Sequence, residues 1–131
     1  MAGPVKISTT RIDLGGMRLN NVGGSYQGIQ TYTPSAAETA TLNLALSNIN
    51  HITMPAGNIT IAISGGTTGQ CFIVRILQDG TGGRTVTWFT TIKWAGGSAP
   101  TLTTTGSKAD TFGFEITGSG TYDGFVIGQN I

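Results

Sequence analysis

Few side chains in this sequence could do chemistry, and their spacing decides what that chemistry could be. His51 is the only histidine, so a Ser-His-Asp or Cys-His relay would have to run entirely through it, and zinc would lack the second imidazole it commonly takes. Cys71 is the only cysteine, which forbids an intramolecular disulfide. It stands in the apolar run Cys71-Phe72-Ile73-Val74 with no cation or helix start beside it to lower its pKa, so it reads as a small buried hydrophobe rather than a nucleophile. The acids Asp13, Glu38, Asp79, Asp110, Glu115 and Asp123 never fall at calcium-loop spacing. A carboxylate pair for glycoside hydrolysis would have to meet in space, with Asp110 and Glu115 the only acids on a well-patterned strand. Gly80-Thr81-Gly82-Gly83-Arg84 has the glycines of a phosphate-cradling loop, but such loops feed a helix, and a strand pattern follows here. No catalytic residue, metal ligand or cofactor is therefore expected, and the chain is not expected to be an enzyme. What remains is aromatic. Trp88, Trp94 and Tyr122 could stack on the sugar rings of a glycan if exposed together, while the favoured reading has them filling the core or a subunit contact.

Composition says what must position these groups. Of 131 residues, 38% are hydrophobic and only 10% charged, against about 25% charged in an ordinary domain. Glycine (21 residues) and threonine take the place of charge. β-Branched residues suit a pleated surface and glycine suits tight turns, so short strands and open turns are expected, in one domain. A net charge of +1 provides no field for holding nucleic acid. No apolar run approaches the roughly 20 residues of a membrane span, and Met1-Ala2-Gly3-Pro4-Val5-Lys6 lacks a signal-peptide core. A product made in the cytoplasm, with neither nucleic acid nor membrane as partner, is the expectation.

Two segments are expected. Residues 1–32 carry isolated apolar side chains with little alternation and bury no face of their own, so they read as an extended N-terminal arm. Its Ile7, Arg11, Ile12, Leu14, Met17, Arg18 and Leu19 are the candidate attachment residues, apolar contact being assisted by weak positive charge. From residue 33 to 131, period-2 patterns are bounded by turn residues, as strands are. The run from Cys71 to Leu77 is apolar apart from Arg75 and reads as a central strand covered on both sides. Asp79-Gly80 should turn it into a hairpin with Arg84 to Phe89. Eight or nine short strands predict an all-β, antiparallel sandwich or jelly-roll-like body. Its expected core is Leu42, Leu44, Ile59, Ile61, Ile63, Phe72, Val74, Ile76, Val86, Phe112, Phe114 and Val126.

Four blocks in order carry a resemblance. They are Gln78-Asp79-Gly80-Thr81-Gly82-Gly83-Arg84-Thr85-Val86-Thr87-Trp88, Ile92-Lys93-Trp94-Ala95-Gly96-Gly97, Ala99-Pro100-Thr101-Leu102-Thr103 and Gly124-Phe125-Val126-Ile127-Gly128-Gln129-Asn130. Together with Ala40-Thr41-Leu42-Asn43-Leu44 and Asn58 to Ile63, they resemble the C-terminal module of tailed-bacteriophage virion proteins: tail fibres, head fibres and capsid decoration proteins. The resemblance spans about Thr39 to Ile131. Phe89 and Ala95 stand where that pattern often has proline. It implies a non-enzymatic component of the virion surface, commonly a homotrimer. The first expectation is a capsid decoration or head-fibre subunit whose arm docks on the major capsid protein or another virion protein. The alternative is a tail-fibre tip that binds host surface glycan.

Overall fold

The computed structural model describes residues 28–131. The candidate attachment residues Ile7, Arg11, Ile12, Leu14, Met17, Arg18 and Leu19 lie outside the described residues.

Nine strands follow one another with no helix among the described residues: β1 (Gln30–Tyr32), β2 (Thr39–Asn43), β3 (Ile49–Thr53), β4 (Ile59–Ser64), β5 (Cys71–Leu77), β6 (Val86–Thr87), β7 (Ile92–Trp94), β8 (Ala109–Gly118) and β9 (Thr121–Gly128). They form a six-stranded sheet in the order β1-β3-β5-β8-β9-β7 and a three-stranded sheet β2-β4-β6. Both sheets contribute to one apolar core, as the layers of a sandwich do. The period-2 pattern explains the facing. Leu42, Ile59 and Ile61 of the small sheet meet Ile52, Phe72, Val74, Ile76, Phe112 and Phe114 of the large one, each buried. Burying an aliphatic side chain of this size contributes about 1.5–3 kcal/mol.

The antiparallel expectation is corrected. From β1 to β7 the chain alternates between sheets, one strand in each, so strands two apart in sequence share a sheet. Each crossing reverses direction, and those strands therefore pair parallel: β1 with β3, β2 with β4, β3 with β5, β4 with β6. Only β5 with β8 and β8 with β9 pair antiparallel. The expected hairpin after Asp79 fails for the same reason, since β6 joins β4 in the other sheet rather than turning back along β5. A turn signal marks where a chain reverses, not whether it stays in its sheet.

Four further readings change. Gln30–Tyr32, assigned to the arm, forms an edge strand of the large sheet and is tied across to β2: Gln30 Nε2 donates to the Asn43 carbonyl at 2.9 Å and the Asn43 N–H donates to the Tyr32 hydroxyl at 3.1 Å. Cys71 is exposed rather than buried, because Phe72, Val74 and Ile76 take the inward positions of β5 and leave Cys71, Ile73, Arg75 and Leu77 on the outward face. β5 is an interior strand of the sheet, yet that outward face is only partly covered. Val126 is 45% exposed, in the stretch of β9 beyond Gly124 where β7 has ended and leaves that edge without a neighbour. Ile63 and Val86 are partly buried against the core.

Candidate functional site

The polar residues that looked able to do chemistry serve the loops. Asp79, just past β5, accepts the Gly82 N–H at 2.7 Å through Oδ1, and its Oδ2 receives Arg84 Nη2 at 2.8 Å and Nε at 3.1 Å. The Arg84 guanidinium and the Gly82 N–H hold the Asp79 carboxyl below its ordinary range. Buried Gln78 clamps the same loop, its Nε2 donating to the carbonyls of Arg84 and Thr103 while its Oε1 accepts the Arg84 N–H. The glycine-rich segment is thus a closed turn around one carboxylate. Its N–H of Gly82 is already occupied, as is the charge of Arg84.

Asp110, on β8, is buried as well. Burial pushes its pKa up, but the N–H groups of Thr103 and Asn130 and the Gln129 amide outweigh that and hold it below the usual carboxylate value. It fastens the loop before β8 to the chain after β9. Glu115, five residues on, is exposed on the opposite face of β8, so the two acids do not converge. His51 is half-buried on β3 beside Arg75 of β5; desolvation first and the Arg75 charge second push its pKa down. Among the described residues no three His, Cys, Asp or Glu side chains gather as a metal site.

Trp88, Trp94 and Tyr122 do come together, on the inward side. Trp88 follows β6, Trp94 ends β7 and Tyr122 is the second residue of β9. The Trp88 and Trp94 rings meet edge-on at 5.1 Å and 68°, and Trp88 also meets Phe112 at 5.1 Å. Trp94 lies 5.5 Å from Phe114, and Tyr122 lies 4.8 Å from Phe89. Burial alone raises the Tyr122 pKa. Edge-to-face rings packed on phenylalanines knit three elements into the core, and they present no flat platform of paired rings.

The surface with unspent binding capacity is elsewhere, on the outward face of the large sheet. Phe125 and Ile127 of β9 are 44% and 57% exposed. They and Ile49, Cys71, Ile73 and Gly113 line an open cleft of about 260 Å³. Beside it, Lys93, Trp94, Asp123 and Phe125 border a second, more polar hollow. Phe125 and Ile127 were not singled out from sequence. The available sign was Phe125-Val126-Ile127, a run without the polar alternation that a strand with one wet face carries.

With the fold and this surface in view, comparison with known families identifies the chain. The family model for the phage tail fibre C-terminal domain matches residues 32–119, two-thirds of the sequence, and the chain belongs to that family. It is a phage virion surface protein carrying a C-terminal module. No curated protein and no solved structure matches it.

Proposed function

We propose that this chain is a non-enzymatic structural module of a phage tail fibre, standing on the virion exterior and assembled with copies of itself as a homotrimer. The observation that carries this reading is the family match, which runs from the last residue of β1 through β8 and so covers the small sheet and most of the large one. It favours the tail fibre over the capsid decoration or head-fibre role that was the first expectation. The geometry is consistent with a structural role, because the carboxylates at Asp79 and Asp110 are engaged in holding loops and the aromatic residues in building the core.

Residues 1–27 would then join the module to the rest of the fibre or to a neighbouring virion protein, through Ile7, Arg11, Ile12, Leu14, Met17, Arg18 and Leu19. A host glycan would need exposed rings, which Trp88 and Tyr122, packed in the core, would not offer it. Gold-labelled antibody against the chain, applied to purified virions, tests the assignment. Label along or at the tip of the tail fibres is expected. Label on the capsid would overturn the tail-fibre reading in favour of decoration, and absence of label from intact virions would overturn both.

A further inference from the structure

The outward face of the large sheet is ordered in a way that its own fold does not use. Its middle row is apolar and crosses four strands: Ile49 of β3 is the partner of Ile73 of β5, Ile73 of Gly113 of β8, and Gly113 of Phe125 of β9. A register shift between β8 and β9 sets Ile127 beside the same row. Gly113 keeps the floor of the cleft low, since a Cβ there would stand only 3.0 Å from the Phe125 ring and 3.1 Å from Ile127 Cδ1.

The rows two residues to either side, about 7 Å away along the strands, carry opposite charge. On one side Glu115 and Asp123 are cross-strand partners, with Lys93 at the β7 margin, leaving an excess of acid. On the other stands Arg75, next to His51 and Thr111. Among the described residues the only ion pair is Arg84 with Asp79, so none of these face charges is paired with another described residue.

We infer that this face is where copies of the chain pack on one another, closing a ring about an axis parallel to the apolar row. In any such ring the basic flank of one face abuts the acidic flank of the next. Arg75 then meets Glu115 and Asp123 of the neighbouring copy at every junction, while Phe125 and Ile127 from all copies converge near the axis. Had both flanks carried the same sign, each junction would be repulsive. Opposite flanks select another copy of this same face, which is both halves of the match. The geometry sets the face and the axis direction; the number three rests on the tail-fibre reading above.

Sedimentation velocity on the full chain tests this, with wild type, Phe125→Asp, Arg75→Glu, Glu115→Arg and the combined Arg75→Glu/Glu115→Arg exchange, each checked for wild-type circular dichroism. Wild type should sediment as an oligomer at micromolar concentration. Phe125→Asp should raise the dissociation constant about 100-fold or more, and each single charge reversal about 10-fold, within the range measured for close interfacial pairs. The exchange should return it to near wild type, and mixing the two single variants should restore association that neither shows alone. Should Phe125→Asp misfold, the exposed charge pair still decides. An oligomer that no variant weakens overturns this face while leaving self-assembly intact, and a wild-type monomer overturns both. Neither result bears on where the gold label lies on the virion.

Discussion

Phe114→Ala measures how far the aromatic core carries this fold. Phe114 is 1% exposed in the middle of β8. Its ring centre lies 5.1 Å from Phe72, 5.1 Å from Phe89, 5.5 Å from Trp94 and 5.7 Å from Trp88, four rings held on three segments of the chain. Because β5, β7 and the loop after β6 are fixed separately, their rings cannot all collapse into the space left behind. Truncating a buried phenylalanine to alanine costs about 3–5 kcal/mol, growing with the cavity that remains, and ring pairs contribute about 0.5–1.5 kcal/mol beyond area burial. The upper part of that range, about 4–5 kcal/mol, is the expected loss. Against a total of about 5–15 kcal/mol for a domain, it should lower Tm by about 15–25 °C at a few degrees per kcal/mol. Urea unfolding followed by tryptophan fluorescence is the assay, since Trp88 and Trp94 both touch the ring. All variants must be compared at one protein concentration, because the proposed self-association would make apparent stability concentration-dependent. Phe125→Ala removes the same atoms from the 44% exposed outward face and should cost under about 1.5 kcal/mol in dilute protein. A loss below about 1.5 kcal/mol at Phe114 with an unchanged m-value, or equal losses at the two sites, would refute the view that this cluster is the centre of the core.

The remaining expectations concern loops and protons. Asp110 is held below its ordinary pKa, so its contribution is complete above the unfolded carboxylate value of about 3.9 and is lost as pH falls through the folded one. Asp110→Asn should cost about 1–2 kcal/mol at pH 7 and flatten acid unfolding below pH 4, read from urea midpoints against pH. His51 is also shifted down, which means the fold favours neutral imidazole: its share of stability is full above about pH 6.5 and declines as pH drops toward the folded value. His51→Gln should remove that slope between pH 7 and 5, and a slope unchanged in the variant would contradict the assignment. Gly82 has φ +79° and lies against the Thr104 carbonyl and the Gly106 N–H, so Gly82→Ala combines backbone strain with a clash. It should cost about 2–4 kcal/mol by thermal unfolding, whereas Gly80→Ala, with open space around it and no positive φ, should be nearly neutral.

Much of the architecture was readable along the chain. Period-2 runs located the strands, since alternation is a property of consecutive residues: Phe112, Phe114 and Ile116 are all buried, as are Leu42, Ile59, Ile61, Phe72, Val74 and Ile76. The absence of a helix pattern, the shortage of candidates for catalysis and the ordered blocks that place the chain among phage virion surface proteins were likewise local facts. Where expectation failed, the deciding quantity was a distance between segments. Whether the chain turns back beside β5 or crosses to the other sheet depends on what β6 meets, and it meets β4, paired at Ile59 and Thr60. Cys71 and Phe72 are neighbours in one apolar run, and only the placement of the small sheet over one side decides that Phe72 is buried and Cys71 exposed.

The same holds for function. Composition and spacing by themselves determined an all-β chain poor in charge, with aromatics and few residues able to do chemistry. They could not say which aromatics face solvent. Trp88, Trp94 and Tyr122 drew attention as large rings, yet packing drew them inward, while Phe125 and Ile127 stayed out. The alignment of Ile49, Ile73, Gly113 and Phe125 into one row, flanked by Arg75 and by Glu115 with Asp123, joins residues as far as 76 positions apart. Registration between strands creates that row through backbone hydrogen bonds that every residue type can make, so nothing in the side-chain order announces it, and only the tertiary structure decided it.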